Sequence, residues 1–284
     1  PCVSETGINN SQLSDELATL TRAMAREFAK NEVAPIAQDI HRQDLLVPDS
    51  LLKSFSEQGF FGSSIPEEYG GSYVDAVSYG IVCEELARVD WATAPVVSVS
   101  NSLVAGPLLK FGREDQKQRW LPGMARGEIL CSACLTEPGG GTDLGNMRTT
   151  AKRVDGGYLL NGTKVFISHA AHAGLFFVVA SIDLEKKHKG VTAFLVDPRE
   201  TQGLSLGDFP MRTLKRDKLA EVNFVDAFVP DEALLGEAGK GFPVLGSALD
   251  MGRFSVAARC VGQSQRCIDL AVPYALDRSA FGKP

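Results

Sequence analysis

The sequence lacks a long hydrophobic run. No apolar segment approaches the ~18 residues that a membrane-spanning helix requires, and no N-terminal stretch joins a basic flank to an apolar run and a small-residue cleavage site. We therefore expect a protein without a membrane span.

The sequence also has no block of charge of one sign. Lys and Arg number 29 against 35 Asp and Glu, and the net charge of −6 is spread along 284 residues. Nucleic acid requires a concentrated basic surface, so it is not expected as a partner.

Cysteine and histidine are scarce, with 6 and 4 residues. So few cysteines do not make a disulfide scaffold at this length, and they suit a reducing compartment. Cys131 and Cys134 have the spacing of half a zinc site, but no second pair or histidine cluster completes it, so we interpret them as small strand residues. His169 and His172 lie in neither a HExxH nor a GxSxG context, which disfavours a metal or serine hydrolase.

Apolar residues in the first part of the chain recur at helical spacing. One stripe, which predicts an amphipathic helix that ends before Pro35, consists of Leu13, Leu17, Leu20, Met24 and Phe28. Further helices are predicted after Pro48 and over 74–89, 98–111 and 114–120, with a turn at 66–71. Helical character returns over 241–276.

Beyond Pro122, short β-favouring runs alternate with Gly, Asn and Asp turns. Strands are predicted over 129–135, 158–160, 164–167, 176–180, 192–196 and 220–225. The order of elements predicts an α+β protein in three parts: an N-terminal helical domain (1–122), a central domain resembling a β-barrel or β-sandwich (123–232), and the beginning of a C-terminal helical bundle (233–284).

A glycine-rich loop follows the strand predicted over 129–135. Its residues 136–143 read TEPGGGTD. Glycines without side chains let backbone amides approach a phosphate or a flavin edge. The loop has neither the third glycine of a dinucleotide-binding fingerprint nor the Gly-Lys-Ser/Thr of a phosphate loop, so by itself it is more typical of an ordinary glycine-rich turn.

Together with other stretches, this loop resembles the acyl-CoA dehydrogenase family, in particular its short- and medium-chain members. The stretches occur in the family's order and span nearly the whole chain: PEEYGG at 66–71, Gln116-Lys117 with Leu121-Pro122 and Gly127-Glu128, CLTEPGGGTD at 134–143, LNGTKVFIS at 160–168, LDMGR at 249–253 and YALDRSAFGKP at 274–284. The resemblance implies a helical, β and helical fold, bound FAD, an acyl-CoA substrate, and an electron-transfer flavoprotein as the partner in fatty acid metabolism. It also implies a location in the cytoplasm or, in a eukaryote, in the mitochondrial matrix.

The resemblance further implies which residues contact FAD. The loop would meet the isoalloxazine ring through backbone amides and the Thr136 hydroxyl, and it contributes Ala133, Leu135, Thr136, Gly141 and Thr142. A second set, Phe166, Ile167 and Ser168, would pack against the flavin face that opposes the substrate. The family commonly has Trp at the Phe166 position, so shielding should be reduced here; judged by residue type alone, Phe166 would be a core side chain.

Two further groups follow from the resemblance. Arg278 and Phe281 match positions that reach the adenosine diphosphate part of an FAD in a neighbouring subunit, which implies a homo-oligomer, either a dimer or a tetramer. The substrate-binding set would be Thr142, Leu245, Leu249, Asp250 and Arg253, although the two leucines are equally typical of a core. The run 211–218 departs from the family pattern.

The implied reaction is α,β-dehydrogenation of the thioester, in which a carboxylate removes the α proton and a hydride leaves the β carbon. The family's glutamate base either directly precedes the Arg253 position or lies in later helices. Gly252 closes the first option, so we expect the base beyond Pro284 and not at Glu137 or Asp143. The alternatives are an acyl-CoA oxidase that uses oxygen and a non-catalytic flavin- or acyl-CoA-binding subunit of a mixed oligomer.

Overall fold

Helices come first along the chain, strands follow, and one long helix comes last. This is the predicted order, seen in a computed structural model that describes residues 10–210 and 219–283. Within these residues the helices preceding the sheet are Asn10–Phe28 (α1), Ala34–Gln43 (α2), Asp49–Glu57 (α3), Ala76–Val89 (α4), Ala94–Ser98 (α5), Gly106–Phe111 (α6) and Glu114–Ala125 (α7).

Two helix ends lie near prolines. The first helix was predicted to end before Pro35, and α1 does end at Phe28, but a π-helical turn over Ala29–Val33 leads directly into α2, where Pro35 occupies the first turn. The wider turn changes the hydrogen-bond register where proline has no amide proton to donate. The prediction that another helix ends at Trp120 is wrong, because α7 continues through Pro122 to Ala125 while Leu121 and Met124 pack in the core.

The strands form an eight-stranded sheet within the described residues. Their bounds are Leu130–Cys134 (β1), Thr150–Val154 (β2), Gly157–Ile167 (β3), Ala173–Ser181 (β4), Val191–Val196 (β5), Leu204–Asp208 (β6), Ala220–Pro230 (β7) and Leu234–Leu235 (β8). Their order in the sheet is β6-β7-β3-β2-β4-β5-β8, and β1 pairs with β4. Cys131 and Cys134 lie buried in β1 as free cysteines, which confirms their interpretation as strand residues.

Two predicted strands, 158–160 and 164–167, are one strand, β3. The pairing of β3 with β7 shifts register between Leu160 and Gly162. Gly162 has φ of 147°, and a Cβ there would lie 2.5 Å from Oγ1 of Thr149, so only glycine fits. The glycine that resembled a turn in the sequence is therefore an irregularity inside a long strand.

Strand β4 is buried along its whole length and divides two apolar cores. Leu175, Phe177 and Val179 pack on the side of α6, α7 and α8, whereas Phe176 and Val178 pack on the side of β3 and β7. This alternation follows from the two-residue period of a strand. The strand thus links the helical layer to the sheet.

The last helix, α8, spans Gly241–Asp277 and agrees with the helix predicted over 241–276. It packs closely on α4 through Gly262, where a Cβ would lie 2.0 Å from the carbonyl oxygen of Glu84. Its beginning is buried, but its later part leaves large apolar side chains exposed, among them Val261, Ile268, Leu270, Val272, Tyr274 and Leu276.

The described residues contain neither a membrane-spanning helix nor a metal-binding cluster. Among residues 10–210 and 219–283, none of the helices combines the length and the apolar character needed to cross a membrane. The same residues contain no cluster of His, Cys, Asp and Glu side chains that could hold a metal ion.

Candidate active site

The glycine-rich loop lies beside the end of β3. The backbone amide of Val165 donates to the carbonyl oxygen of Thr136 at 2.9 Å, and Oγ of Ser132 donates to the carbonyl oxygen of Ser168 at 2.6 Å. These bonds hold residues 132–136 alongside residues 165–168. The structure therefore brings together two sets that the resemblance assigned to one ligand: Ala133, Leu135 and Thr136 on one side, and Phe166, Ile167 and Ser168 on the other.

The side chains of these two sets point in different directions. Leu135 and Ile167 are buried in the two separate cores, so only their backbones are free to face a ligand. Phe166 is 51% exposed, so the interpretation of it as a core residue on residue type alone is wrong. Its φ of 60° turns it out of the sheet at the end of β3, where its ring lies 4.7 Å from that of Phe209 in an edge-to-face contact.

The glycines leave space where a flat ligand would approach the loop. A Cβ at Gly139 would meet nothing within 4 Å, whereas one at Gly141 would lie 2.9 Å from Cγ2 and 3.0 Å from Oγ1 of Thr136. Gly141 thus makes room for the threonine hydroxyl. The open loop surface, the half-buried hydroxyl and the exposed Phe166 ring together fit an aromatic cofactor with hydrogen-bonding edges.

A buried ion pair, which the sequence did not predict, joins the loop to β3. Nζ of Lys164 donates to Oε1 of Glu137 at 2.8 Å, and the two side chains are 0% and 7% exposed. Burial alone would raise the pKa of Glu137, but the Lys164 charge and hydrogen bonds from residues 148–149 outweigh it and lower that pKa. Glu137 is therefore engaged inside the protein, in line with its exclusion as the base.

A cavity of about 610 Å³ opens where the loop meets α8. It is lined by four of the five residues predicted to bind substrate, namely Thr142, Leu245, Leu249 and Arg253. The side chain of Asp250 is 82% exposed and lies next to the cavity, 3.5 Å from Arg253. A cleft with leucines at its base and polar groups at its rim suits a ligand with an apolar tail and a polar head.

The cavity rim also contains residues that sequence reasoning missed. Lys187 and His188 lie in a short 3-10 segment, Leu184–Lys189, and the His188 ring is 5.8 Å from the ring of Phe242 on α8. A signal was available in the four residues KKHK at 186–189, which are too few to form a block of charge.

Within the described part of the chain, the lining of this cavity contains a single carboxylate, Asp143, whose side chain accepts a hydrogen bond from the Asn146 amide. Gly252, which precedes Arg253, faces Leu103, and a Cβ at Gly252 would lie 2.6 Å from its Cδ2. A glutamate could not occupy this position unless Leu103 moved.

The two residues predicted to reach a neighbouring subunit lie apart from this cavity. Arg278 directly follows α8, and its amide donates to the carbonyl oxygen of Tyr274 at 2.8 Å. The Phe281 side chain is fully exposed, with φ of 51°. The run 211–218 lies outside the described residues.

Family models match nearly the whole chain. They are the acyl-CoA dehydrogenase N-terminal domain over residues 15–128, its middle domain over 132–227 and its C-terminal domain over 239–284. The chain belongs to the acyl-CoA dehydrogenase family. The family and the fold that the motifs predicted are thereby confirmed.

Two curated relatives support the assignment to the acyl-CoA dehydrogenases. The mitochondrial short-chain specific acyl-CoA dehydrogenase of Mus musculus is 40% identical over 276 residues, covering 95% of this chain and 65% of the relative. An acyl-CoA dehydrogenase of Bacillus subtilis is 36% identical over 266 residues, covering 93% of this chain and 70% of the relative. The chain thus spans about two thirds of the length of these relatives.

Solved structures of the family superpose closely. Butyryl-CoA dehydrogenase from Megasphaera elsdenii gives a TM-score of 0.88 at 33% identity, covering 94% of this chain and 71% of the other. An acyl-CoA dehydrogenase from Bacillus anthracis complexed with FAD gives a TM-score of 0.87 at 32% identity, covering 98% of this chain and 48% of the other. A chain from a structure described under the electron transferring flavoprotein of Acidaminococcus fermentans gives a TM-score of 0.89 at 35% identity, covering 94% of this chain and 70% of the other.

Proposed function

We propose that the protein is an FAD-dependent acyl-CoA dehydrogenase that converts an acyl-CoA thioester to the 2-enoyl-CoA. One observation carries the proposal: the glycine-rich loop runs directly from Thr136, beside Phe166, to Thr142 in the wall of the cavity. A flavin on the loop would therefore face a thioester in the cavity. The relatives support this activity by their names, and one solved relative binds FAD.

FAD, when bound, would supply the acceptor for the hydride from the β carbon. The loop backbone around Leu135 and the Thr136 hydroxyl would hold the ring, and the exposed Phe166 would cover the face away from the cavity. Fixed hydrogen-bond donors placed where negative charge develops are the largest contribution that a protein makes to such a reaction.

The residues of α8 would bind and orient the substrate. Leu245 and Leu249 form an apolar wall that would receive the acyl chain and exclude water, which strengthens a carboxylate base. Arg253 at the rim would attract the anionic part of the substrate. We propose that the catalytic base lies in the family's other position, in later helices. Gly252 occupies the position directly before Arg253, and the Glu137 carboxylate is paired with Lys164.

The assembly and the partner follow from the same proposal. Arg278 and Phe281 are exposed at the end of α8, as residues that contact an FAD in a second subunit would be before assembly. We therefore propose a homo-oligomer, a dimer or a tetramer, that passes electrons to an electron-transfer flavoprotein. The location would be cytoplasmic or, in a eukaryote, the mitochondrial matrix; the name of the mouse relative describes that protein as mitochondrial.

A substrate panel tests the proposal. The complete natural polypeptide, loaded with FAD, is mixed without oxygen with short, medium, branched and aromatic acyl-CoA thioesters, and the flavin absorbance is followed. We expect short straight-chain thioesters to bleach it fastest. Bleaching by none of them would favour the non-catalytic subunit, and stoichiometric hydrogen peroxide in air would favour the oxidase.

Substitution of Gly141 tests the flavin loop. In Gly141→Ala, the new methyl group would displace the Thr136 side chain, which can rotate at little cost to stability. Loss of one hydrogen bond of about 1–1.5 kcal/mol corresponds to a rise of about tenfold in the FAD dissociation constant. Fluorescence titration of the apoprotein with FAD measures this dissociation constant.

Gly207→Ala is the matched control, because Gly207 lies on β6 outside the loop and a Cβ there would make only an ordinary contact, 3.4 Å from Cβ of Glu221. It should bind FAD like the unmodified protein. Equal FAD affinity in both variants would contradict the assignment of the Thr136 hydroxyl to the flavin.

A further inference from the structure

The ion pair between Glu137 and Lys164 touches neither the cavity nor the open surface of the loop, yet all its hydrogen bonds go to the backbone around them. Lys164 is fully buried in β3, and Glu137 is the residue after Thr136. Because burial of two charges costs several kcal/mol per ion before pairing, stability alone does not account for the pair. A pair of apolar side chains would fill the space at least as well.

We infer that Glu137 and Lys164 are positioning residues for the flavin: through directed hydrogen bonds they fix the backbone at Leu135 and Thr136 and join it to the wall of the substrate cavity. This inference rests on the proposed FAD-dependent function. Neither residue touches the reacting atoms.

Lys164 acts on the flavin side. Its Nζ donates to the carbonyl oxygen of Leu135 at 3.1 Å as well as to Glu137. The next residue of β3, Val165, donates its amide to the carbonyl oxygen of Thr136 at 2.9 Å. Consecutive residues of one strand therefore hold consecutive carbonyls of the loop, so the orientation of the peptide group between Leu135 and Thr136 is set by the protein.

Glu137 acts on the cavity side. Its Oε2 accepts from the amide of Arg148 at 2.6 Å, and its Oε1 accepts from the amide of Thr149 at 3.0 Å. Residues 148–149 follow the segment 142–146, which lines the cavity, after the single residue Met147. One carboxylate thus connects the backbone that would meet the flavin with the backbone that would meet the substrate.

A carboxylate and an ammonium suit this task because each satisfies several partners at once. An ionised carboxylate accepts on both oxygens, and hydrogen bonds to charged groups are shorter and stronger than neutral ones. Supporting residues of this kind typically change affinity or activity by about 10–100-fold when removed, as measured around metal ligands. We expect an effect of the same order on FAD.

Four variants of the complete natural polypeptide test the inference: Lys164→Met, Glu137→Gln, the double variant, and Phe55→Leu as a control. Phe55 is fully buried in the helical core, so Phe55→Leu lowers stability away from the loop. The measurements are the melting temperature of the apoprotein, the FAD dissociation constant and the reduction potential of the bound flavin.

Each single substitution should lower the melting temperature strongly, because it leaves a buried charge without its partner. The double variant should recover most of the lost melting temperature. Its FAD dissociation constant should nevertheless stay about tenfold or more above that of the unmodified protein, and the reduction potential of its bound flavin should be shifted. Phe55→Leu should melt earlier and bind FAD normally. Recovery of FAD affinity and potential in the double variant would overturn the inference, as would an affinity that follows the melting temperature through all variants.

Glu137→Asp provides a second test that does not depend on the double variant folding. It keeps the charge but withdraws the carboxylate by one methylene from Lys164 and from the amides of residues 148–149. We expect weaker FAD binding with a melting temperature above that of Glu137→Gln; unchanged FAD binding counts against the inference. Failure of the unmodified protein to bind FAD would remove the proposed function itself, whereas normal FAD binding in both the unmodified protein and the double variant would remove only the positioning role.

Discussion

Leu249→Trp is expected to lower kcat/KM for the best acyl-CoA substrate about 100-fold while FAD stays bound. Leu249 lines the 610 Å³ cavity and also a second cavity of about 420 Å³ on the other side of Arg253, beside Leu103 and Gly252. An indole at this position would occupy space that an acyl chain needs in either cavity. Forcing extra atoms into a filled site costs about 1–3 kcal/mol, and about 2.7 kcal/mol corresponds to 100-fold.

Leu206→Trp is the matched control for this substitution. Leu206 lies on strand β6 and is 44% exposed, so the same change there adds an indole to the surface. It should leave kcat/KM and FAD content unaltered. If Leu249→Trp also retained normal kcat/KM with its FAD and its melting temperature intact, the substrate would bind elsewhere.

The sequence predicted the elements that carry a local signal. The stripe from Leu17 to Phe28 has helical spacing and β4 is a short continuous apolar run typical of a fully buried strand, and both elements are present. Strands β2 and β6 were missed, since their exposed residues weaken the β signal: β2 contains Lys152 and Arg153, and β6 is largely exposed. The helical continuation across Pro35 and the continuation of α7 through Pro122 were not predicted, because a single sequence does not show whether neighbouring turns or core contacts compensate for the missing amide.

The site residues that belong to one contiguous motif could be predicted from the sequence. The contacts between residues that are distant in the sequence could not. Leu245 and Leu249 are one helical turn apart, so their common face could be inferred, and both line the cavity. The contact between Glu137 and Lys164 joins residues that are separated by 26 others and pair only after β3 forms beside the loop. The exposure of Phe166 depends on a positive φ at a strand end, which its residue type disfavours.

The polypeptide of residues 1–284, produced alone, is expected to self-associate. Beyond Val261 the exposed apolar side chains of α8 continue to Leu276, one residue before the end of the helix, and Phe281 after the helix is fully exposed. The largest apolar patch on a typical monomer is roughly 300–600 Å², and burial of apolar area stabilises association by about 25 cal/mol per Å². Light scattering should therefore give a mass several times the 30.5 kDa of one chain.

Polar substitutions on α8 test whether its exposed apolar side chains cause the self-association. Ile268 and Leu276 are 55% and 72% exposed, so Ile268→Glu with Leu276→Lys should keep the helix content while the measured mass falls towards one chain. The measurement is made under reducing conditions, because Cys260 and Cys267 are exposed on the same helix and could cross-link chains. A single species of 30.5 kDa from the unsubstituted polypeptide would show that the α8 face tolerates water and that its exposed side chains do not drive association.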